Sequence, residues 1–210
     1  MSDARLRALA REVALTGGFE ARVRLLVLRA RAGDLPLERL RLAAYLRDPA
    51  AKRALAPDVP RAPSEVTRVV AGLAHYGLEA CLRAAVAIGR VADPELIAEQ
   101  RLSMRELLDG LTLWLECPCG DHARDVRQAA RLAEGGHAAG PLLLWAATAV
   151  TDPGVDALAA WQLLWRPFSV RHASELDWDW RQPRPLGFVQ RERAGVVHAL
   201  RARLVPWALG

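Results

Sequence analysis

The chain has 210 residues, 52% of them apolar, and a formal net charge of +5. That length fits one domain, or one domain with an appended segment, and is sufficient to bury a core. Three cysteines, an odd number, exclude a disulfide framework and point to a reducing, cytoplasmic setting.

Ala (39), Leu (34) and Arg (28) make up 101 of the residues. All three favour helix, and the residues that prefer strands are sparse. The composition predicts an all-α fold of about ten helices stacked as antiparallel pairs. Residues 1–165 are expected to form the stacked pairs. Residues 166–210 are expected to add an irregular Trp/Arg/Pro-rich segment and a C-terminal helix packed on the same domain.

In chain order, a first helix spans residues 4–15, with Leu6, Leu9 and Val13 inward, and stops at Gly17-Gly18. A second runs from Phe19 to Ala32 with Phe19, Val23, Leu26, Val27 and Ala30 as its inner stripe, closed by Gly33. Pro36 opens a third that reaches Arg47, with Leu37, Leu40 and Ala44 inward. A short helix from Pro49 to Leu55 follows. Ala56 to Pro63, with three prolines, is the clearest linker. Ser64 is expected to cap a helix over Glu65–Tyr76, which Gly77 separates from one over Leu78–Val91. Ser103 and Glu106 have capping-box spacing for a helix ending near Glu116. Gly120 or Asp121 opens a helix to Glu134. Helices over Pro141–Val150, Val155–Trp165 and Phe188–Val205 complete the series. The last carries an apolar stripe of Val189, Val196, Val197, Leu200 and Leu204. The apolar run from Pro141 to Val150 is too short for a membrane span, and the first residues lack the layout of a signal peptide.

Asp-Pro recurs at 48–49, 93–94 and 152–153. Aspartate can cap an orphan N–H there while proline takes the first helical turn, where it forfeits no hydrogen bond. The first interval, 45 residues, falls within the period of paired-helix repeats; the second, 59, does not. The segment from Leu42 to Leu55 resembles a HEAT-type helix–turn–helix boundary. It also resembles phrases in uncharacterised Ala/Arg-rich helical proteins of high-GC bacteria, as does the segment from Trp114 to His122. The resemblance implies stacked helical pairs and brings no activity with it.

Charge is unevenly spread: residues 1–53 carry +6, residues 54–183 carry −5, and residues 184–210 carry +4. Basic ends of this kind could meet nucleic acid, with Arg191, Arg193, Arg201 and Arg203 on the final helix. Because the Arg residues are scattered and interleaved with Glu and Asp rather than blocked, they read first as solvated helix faces, with the termini lying against the acidic middle.

Chemically versatile side chains concentrate at Cys117-Pro-Cys119-Gly-Asp-His122. Two sulfurs and an imidazole can ligate a metal such as zinc, with Cys81, His75 or His137 as candidates for a fourth ligand. The two thiols could instead form a redox pair near a helix N-terminus. A third reading is a Pro/Gly helix junction whose cysteines act as small apolar residues.

Four of the seven tryptophans (161, 165, 178 and 180) fall within residues 161–188, among several arginines and prolines. Trp178, Trp180, Arg171, Arg181 and Arg184 would supply anchors for a partner protein, because Trp and Arg dominate binding hot spots. The alternative is that the indoles seal the helical stack. His172, Glu175, Asp177 and Asp179 read as a solvated loop. Phosphate-cradling and nucleophile-elbow motifs do not occur.

These readings converge on a non-catalytic protein–protein interaction module, of adaptor or immunity type, with no membrane involvement. Nucleic-acid binding through the basic terminal helices is the alternative. A metal- or thiol-dependent protein centred on Cys117, Cys119 and His122 is the second.

Overall fold

The computed structural model describes residues 3–92, 98–133, 140–165 and 185–210. Among them are twelve α-helices, one 3-10 helix and no strand, so the chain is all-α. None of these helices is long and apolar enough to cross a membrane. The chain divides into two compact units, residues 1–63 with 201–210, and residues 64–200. The proline-rich segment expected as a linker thus ends at a unit boundary.

The first unit holds α1 (Asp3–Thr16), α2 (Phe19–Ala32), α3 (Leu37–Tyr45) and α4 (Pro49–Leu55). It also holds the last residues of α12 (Arg193–Leu209). Its core gathers Leu26, Leu40, Leu42, Ala43, Ala44 and Ala51. Gly33 ends α2 at φ 82°, a left-handed conformation that a side chain would oppose. Arg47 takes the same conformation at the end of α3, with φ 68°. There its N–H reaches Ala44 O, and Asp48 N–H reaches Ala43 O, both at 2.9 Å, which closes the helix in a Schellman turn. Asp48 then caps α4, its carboxylate accepting from Ala51 N–H at 2.8 Å. Residues 42–55 are therefore a helix, a tight turn and a second helix.

The second unit contains α5 (Val66–Ala71), a 3-10 helix (Gly72–Tyr76), α6 (Leu78–Ala92) and α7 (Ala98–Glu116). After these come α8 (Gly120–Leu132), α9 (Gly140–Thr151), α10 (Ala157–Leu164), α11 (Pro185–Arg191) and the start of α12. Helix α6 lies at its centre, buried from Ala80 to Ala92 on most positions and packed on α7, α9 and α10. Gly89 permits that approach, since a Cβ there would stand 2.8 Å from Leu108 Cδ2 and 3.0 Å from Leu143 Cδ2.

Several expectations need correction. Phe19 and Leu37, each the first residue of its helix, are 46% and 47% exposed rather than inward. Glu65, not Ser64, precedes the first turn of α5, and that helix tightens to 3-10 geometry at Gly72. Ser103 lies inside α7, which spans Ala98–Glu116, rather than at a helix start. Asp152 accepts from Gly154 N–H in a turn, while Asp156 caps α10 through Ala159 N–H. The closing stretch forms two helices, α11 and α12, rather than one.

Candidate functional site

Helix α7 ends where Cys117 N–H makes its last helical bond to Leu113 O at 2.9 Å. Pro118 has no N–H and cannot extend the helix. Its fixed φ suits a three-residue turn, and Cys119 N–H closes that turn onto Cys117 O at 2.8 Å. Cys119 is extended (φ −123°, ψ 165°) and precedes α8, whose first bond runs from Ala123 N–H to Cys119 O at 3.1 Å. The junction is anchored by packing on either side. Val126 of α8 is fully buried, and a Cβ on Gly110 of α7 would sit 3.4 Å from its Cγ2.

This geometry gathers Cys117, Cys119 and His122, with one potential ligand atom from each lying within 4.8 Å of the others. Cys117 is exposed, and Cys119 and His122 are half-buried. His122 Nδ1 lies 2.9 Å from Cys117 O. A carbonyl can only accept, so Nδ1 carries the proton and Nε2 keeps the lone pair in the neutral ring. A backbone carbonyl that fixes the imidazole tautomer is a familiar support for metal-ligating histidines.

The two thiols differ electrostatically. The backbone amide of His122 lowers the Cys119 thiol below its ordinary value, helped by the Cys117 thiol, the Asp121 amide and the His122 charge. The influence is that of a nearby dipole, since no closed side-chain hydrogen bond caps α8. Cys117 moves the other way: it shares its hydrogen with Cys119 and feels that sulfur's negative charge. The Cys117 carbonyl raises His122, and the charges of Cys119, Asp125 and Asp121 act in the same sense. Two sulfurs and an imidazole suit zinc or another thiophilic ion and disfavour magnesium or calcium.

Of the proposed fourth ligands, neither Cys81 nor His75 joins the group. Cys81 is buried in α6, and burial pushes its thiol up to about 12. His137 lies outside the described residues. Among the described residues, the group therefore offers three protein donors, one fewer than a closed structural zinc site uses.

Arg171, Trp178, Trp180, Arg181 and Arg184 lie outside the described residues, as do His172, Glu175, Asp177 and Asp179. Trp161 and Trp165 are buried and belong to a core cluster. Trp161 packs tilted against Trp145 and Trp165, with ring centroids 4.7 and 5.5 Å apart. Trp145 and Trp161 give their indole N–H groups to Ala157 O and Val70 O, at 3.0 and 3.2 Å. On the final helix, Arg201 donates to Leu46 O at 2.9 Å and Arg193 to Ser64 O at 3.1 Å. Arg191 pairs with Glu192 at 3.4 Å. These guanidinium groups hold the protein's own backbone and carboxylates.

No family model, curated protein or solved structure matches the chain.

Proposed function

We propose that this chain is a non-catalytic helical binding protein whose ligand at the α7–α8 junction is a thiophilic transition-metal ion, such as zinc. The supporting observation is the gathering of Cys117, Cys119 and His122 within 4.8 Å, on a turn fixed by Pro118. Both thiols must lose their protons to ligate, so metal uptake releases protons and strengthens as pH rises. Titration with cobalt(II), a spectroscopic substitute for zinc, tests the reading. Thiolate-to-cobalt absorption should appear, and zinc should displace it. Cys117→Ser or Cys119→Ser should weaken uptake by about tenfold or more, on the scale that even supporting groups of metal sites contribute. Equal uptake by the wild type and both variants would remove the proposal.

A second binding role is carried by the density of indole and guanidinium groups between residues 166 and 184. In this reading Trp178 and Trp180 anchor a partner protein, flanked by Arg171, Arg181 and Arg184. Replacing both tryptophans by Ala should abolish capture of that partner without altering helicity or melting. Retention on DNA or RNA that falls steeply with salt would instead favour the basic terminal helices.

A further inference from the structure

We propose that Cys117 and Cys119 are a redox modification site, which two-electron oxidation by a hydroperoxide closes into an intramolecular disulfide. The closure stands on the thiol pair itself. Its consequence, loss of two of the three metal donors, rests on the metal reading above.

Three features carry it. The turn closed by Cys119 N–H on Cys117 O at 2.8 Å draws the two backbones nearer than an extended segment would. The two sulfurs lie within 4.8 Å of each other and neither residue is buried, so a small oxidant has access. A disulfide requires about 2.05 Å between sulfurs, and rotation about the two χ1 bonds is the motion available to close the gap. The third cysteine, Cys81, is buried in α6 and cannot compete as a partner.

The chemistry balances with hydrogen peroxide. One thiol gives up its proton, and its sulfur attacks a peroxide oxygen. The O–O bond breaks, hydroxide leaves with that proton as water, and a sulfenic acid remains. The second sulfur attacks the first, the S–O bond breaks, and the hydroxyl departs with the second thiol proton as a second water. The two sulfurs supply two electrons and the peroxide accepts them. When a metal is bound, the thiol protons have already left, so solvent supplies them and the ion is released from the sulfurs. A dithiol reductant reverses the closure. Because the second thiol is adjacent, it intercepts the sulfenic acid before further oxygen is added.

The test uses the full-length protein, reduced and metal-free, exposed to hydrogen peroxide. The expected result is an intact mass lowered by two hydrogen atoms. A peptide cross-linked between Cys117 and Cys119 should accompany it, and dithiothreitol should regenerate both thiols. In Cys117→Ser, Cys119 should instead accumulate sulfenic acid that dimedone traps. Oxygen-adducted cysteines in the wild type, disulfide-linked dimers, or thiols untouched at peroxide levels that oxidise a model Cys-Pro-Cys peptide would each overturn the proposal. A parallel sample loaded with zinc separates the two readings. Closure in protein that takes up no zinc when zinc is offered keeps this inference and removes the metal site. Zinc uptake by thiols that oxidise independently keeps the metal site and removes this inference.

Discussion

His122 reaches back across a helix junction to donate Nδ1–H to the carbonyl of Cys117 at 2.9 Å. The same carbonyl accepts Cys119 N–H at 2.8 Å, so one backbone oxygen ties together the three residues of the candidate site. The site's form is therefore set by Pro118 and by hydrogen bonds to one main-chain carbonyl.

Thiol reactivity follows from that arrangement. Cys119 lies below and Cys117 above the ordinary thiol value, so as pH rises Cys119 is the first to become thiolate. Iodoacetamide at neutral pH should alkylate Cys119 ahead of Cys117, as read by peptide mass spectrometry after brief exposure. His122→Ala should preserve that order, because the largest lowering influence is the residue-122 backbone amide, which alanine retains. Equal labelling, or Cys117 reacting first, would contradict the assignment. Cys81 should stay unlabelled until the protein unfolds.

Alkaline stability tests the two cores separately. Burial pushes Cys81 in the second unit from 9.0 up to about 12, and Tyr45 in the first from 10.0 up to about 12. The unfolded chain releases these protons at the lower values while the folded chain retains them. Above about pH 9 the unfolded state therefore binds fewer protons, and stability declines as pH rises towards 12. Urea midpoints recorded from pH 8 to 11 should fall, and Cys81→Ala should flatten the part of that slope due to the second unit. A midpoint that stays level or climbs over this range would show that neither group is held neutral by its surroundings.

The tryptophan cluster makes a prediction about packing. Trp161 is fully buried between Trp145 and Trp165, with its N–H on Val70 O. Trp161→Ala should cost about 3–5 kcal/mol through lost contacts and the cavity left behind. Trp161→Phe fills much of that space and loses the indole bond to Val70 O, which keeps a backbone N–H, for about 0.5–1.5 kcal/mol. Chemical denaturation should rank the two variants in that order. An alanine variant as stable as wild type would mean that the indole is not part of the core.

How much of this was legible in the sequence depends on the range of the interactions. Ala/Leu/Arg richness and helical periodicity read correctly as all-α, because both express local backbone preference. The proximity of Cys117, Cys119 and His122 follows from their spacing, since a Pro turn and the start of a helix are local too. Trp161 can be read in the sequence as sealing the helical stack, but its indole acceptor, Val70 O, cannot, because it lies 91 residues away. Phe19 and Leu37 fit an apolar stripe yet face solvent, since periodicity does not say where a neighbouring helix ends. Ser103 matched a capping box, but α7 begins five residues before it. Cys81 has the chemistry of a fourth ligand, but α6 buries it, and that burial is set by packing partners distant in sequence.

The turn between α3 and α4 concentrates several duties on one carboxylate. Asp48 is 8% exposed, caps α4 through Ala51 N–H at 2.8 Å, and pairs with Arg22 Nη2 at 2.8 Å. Its own N–H completes the Schellman turn that ends α3. Asp48→Ala removes the cap and the ion pair together, leaving an orphan amide at the start of α4. The cap alone is worth about 1 kcal/mol, with a range of about 0.5–2. Asp48→Asn keeps a capping oxygen and discards the charge, so it isolates the contribution of Arg22. That guanidinium is 42% exposed and can turn to water, which limits the pair to about 1 kcal/mol or less. Asn should therefore lie between wild type and Ala in urea denaturation. Combining Arg22→Ala with Asp48→Asn should add little beyond the single changes, because the interaction is already gone. If Asn proves as costly as Ala, the charge rather than the cap holds this turn, and the capping role assigned to the Asp48-Pro49 pair would be wrong.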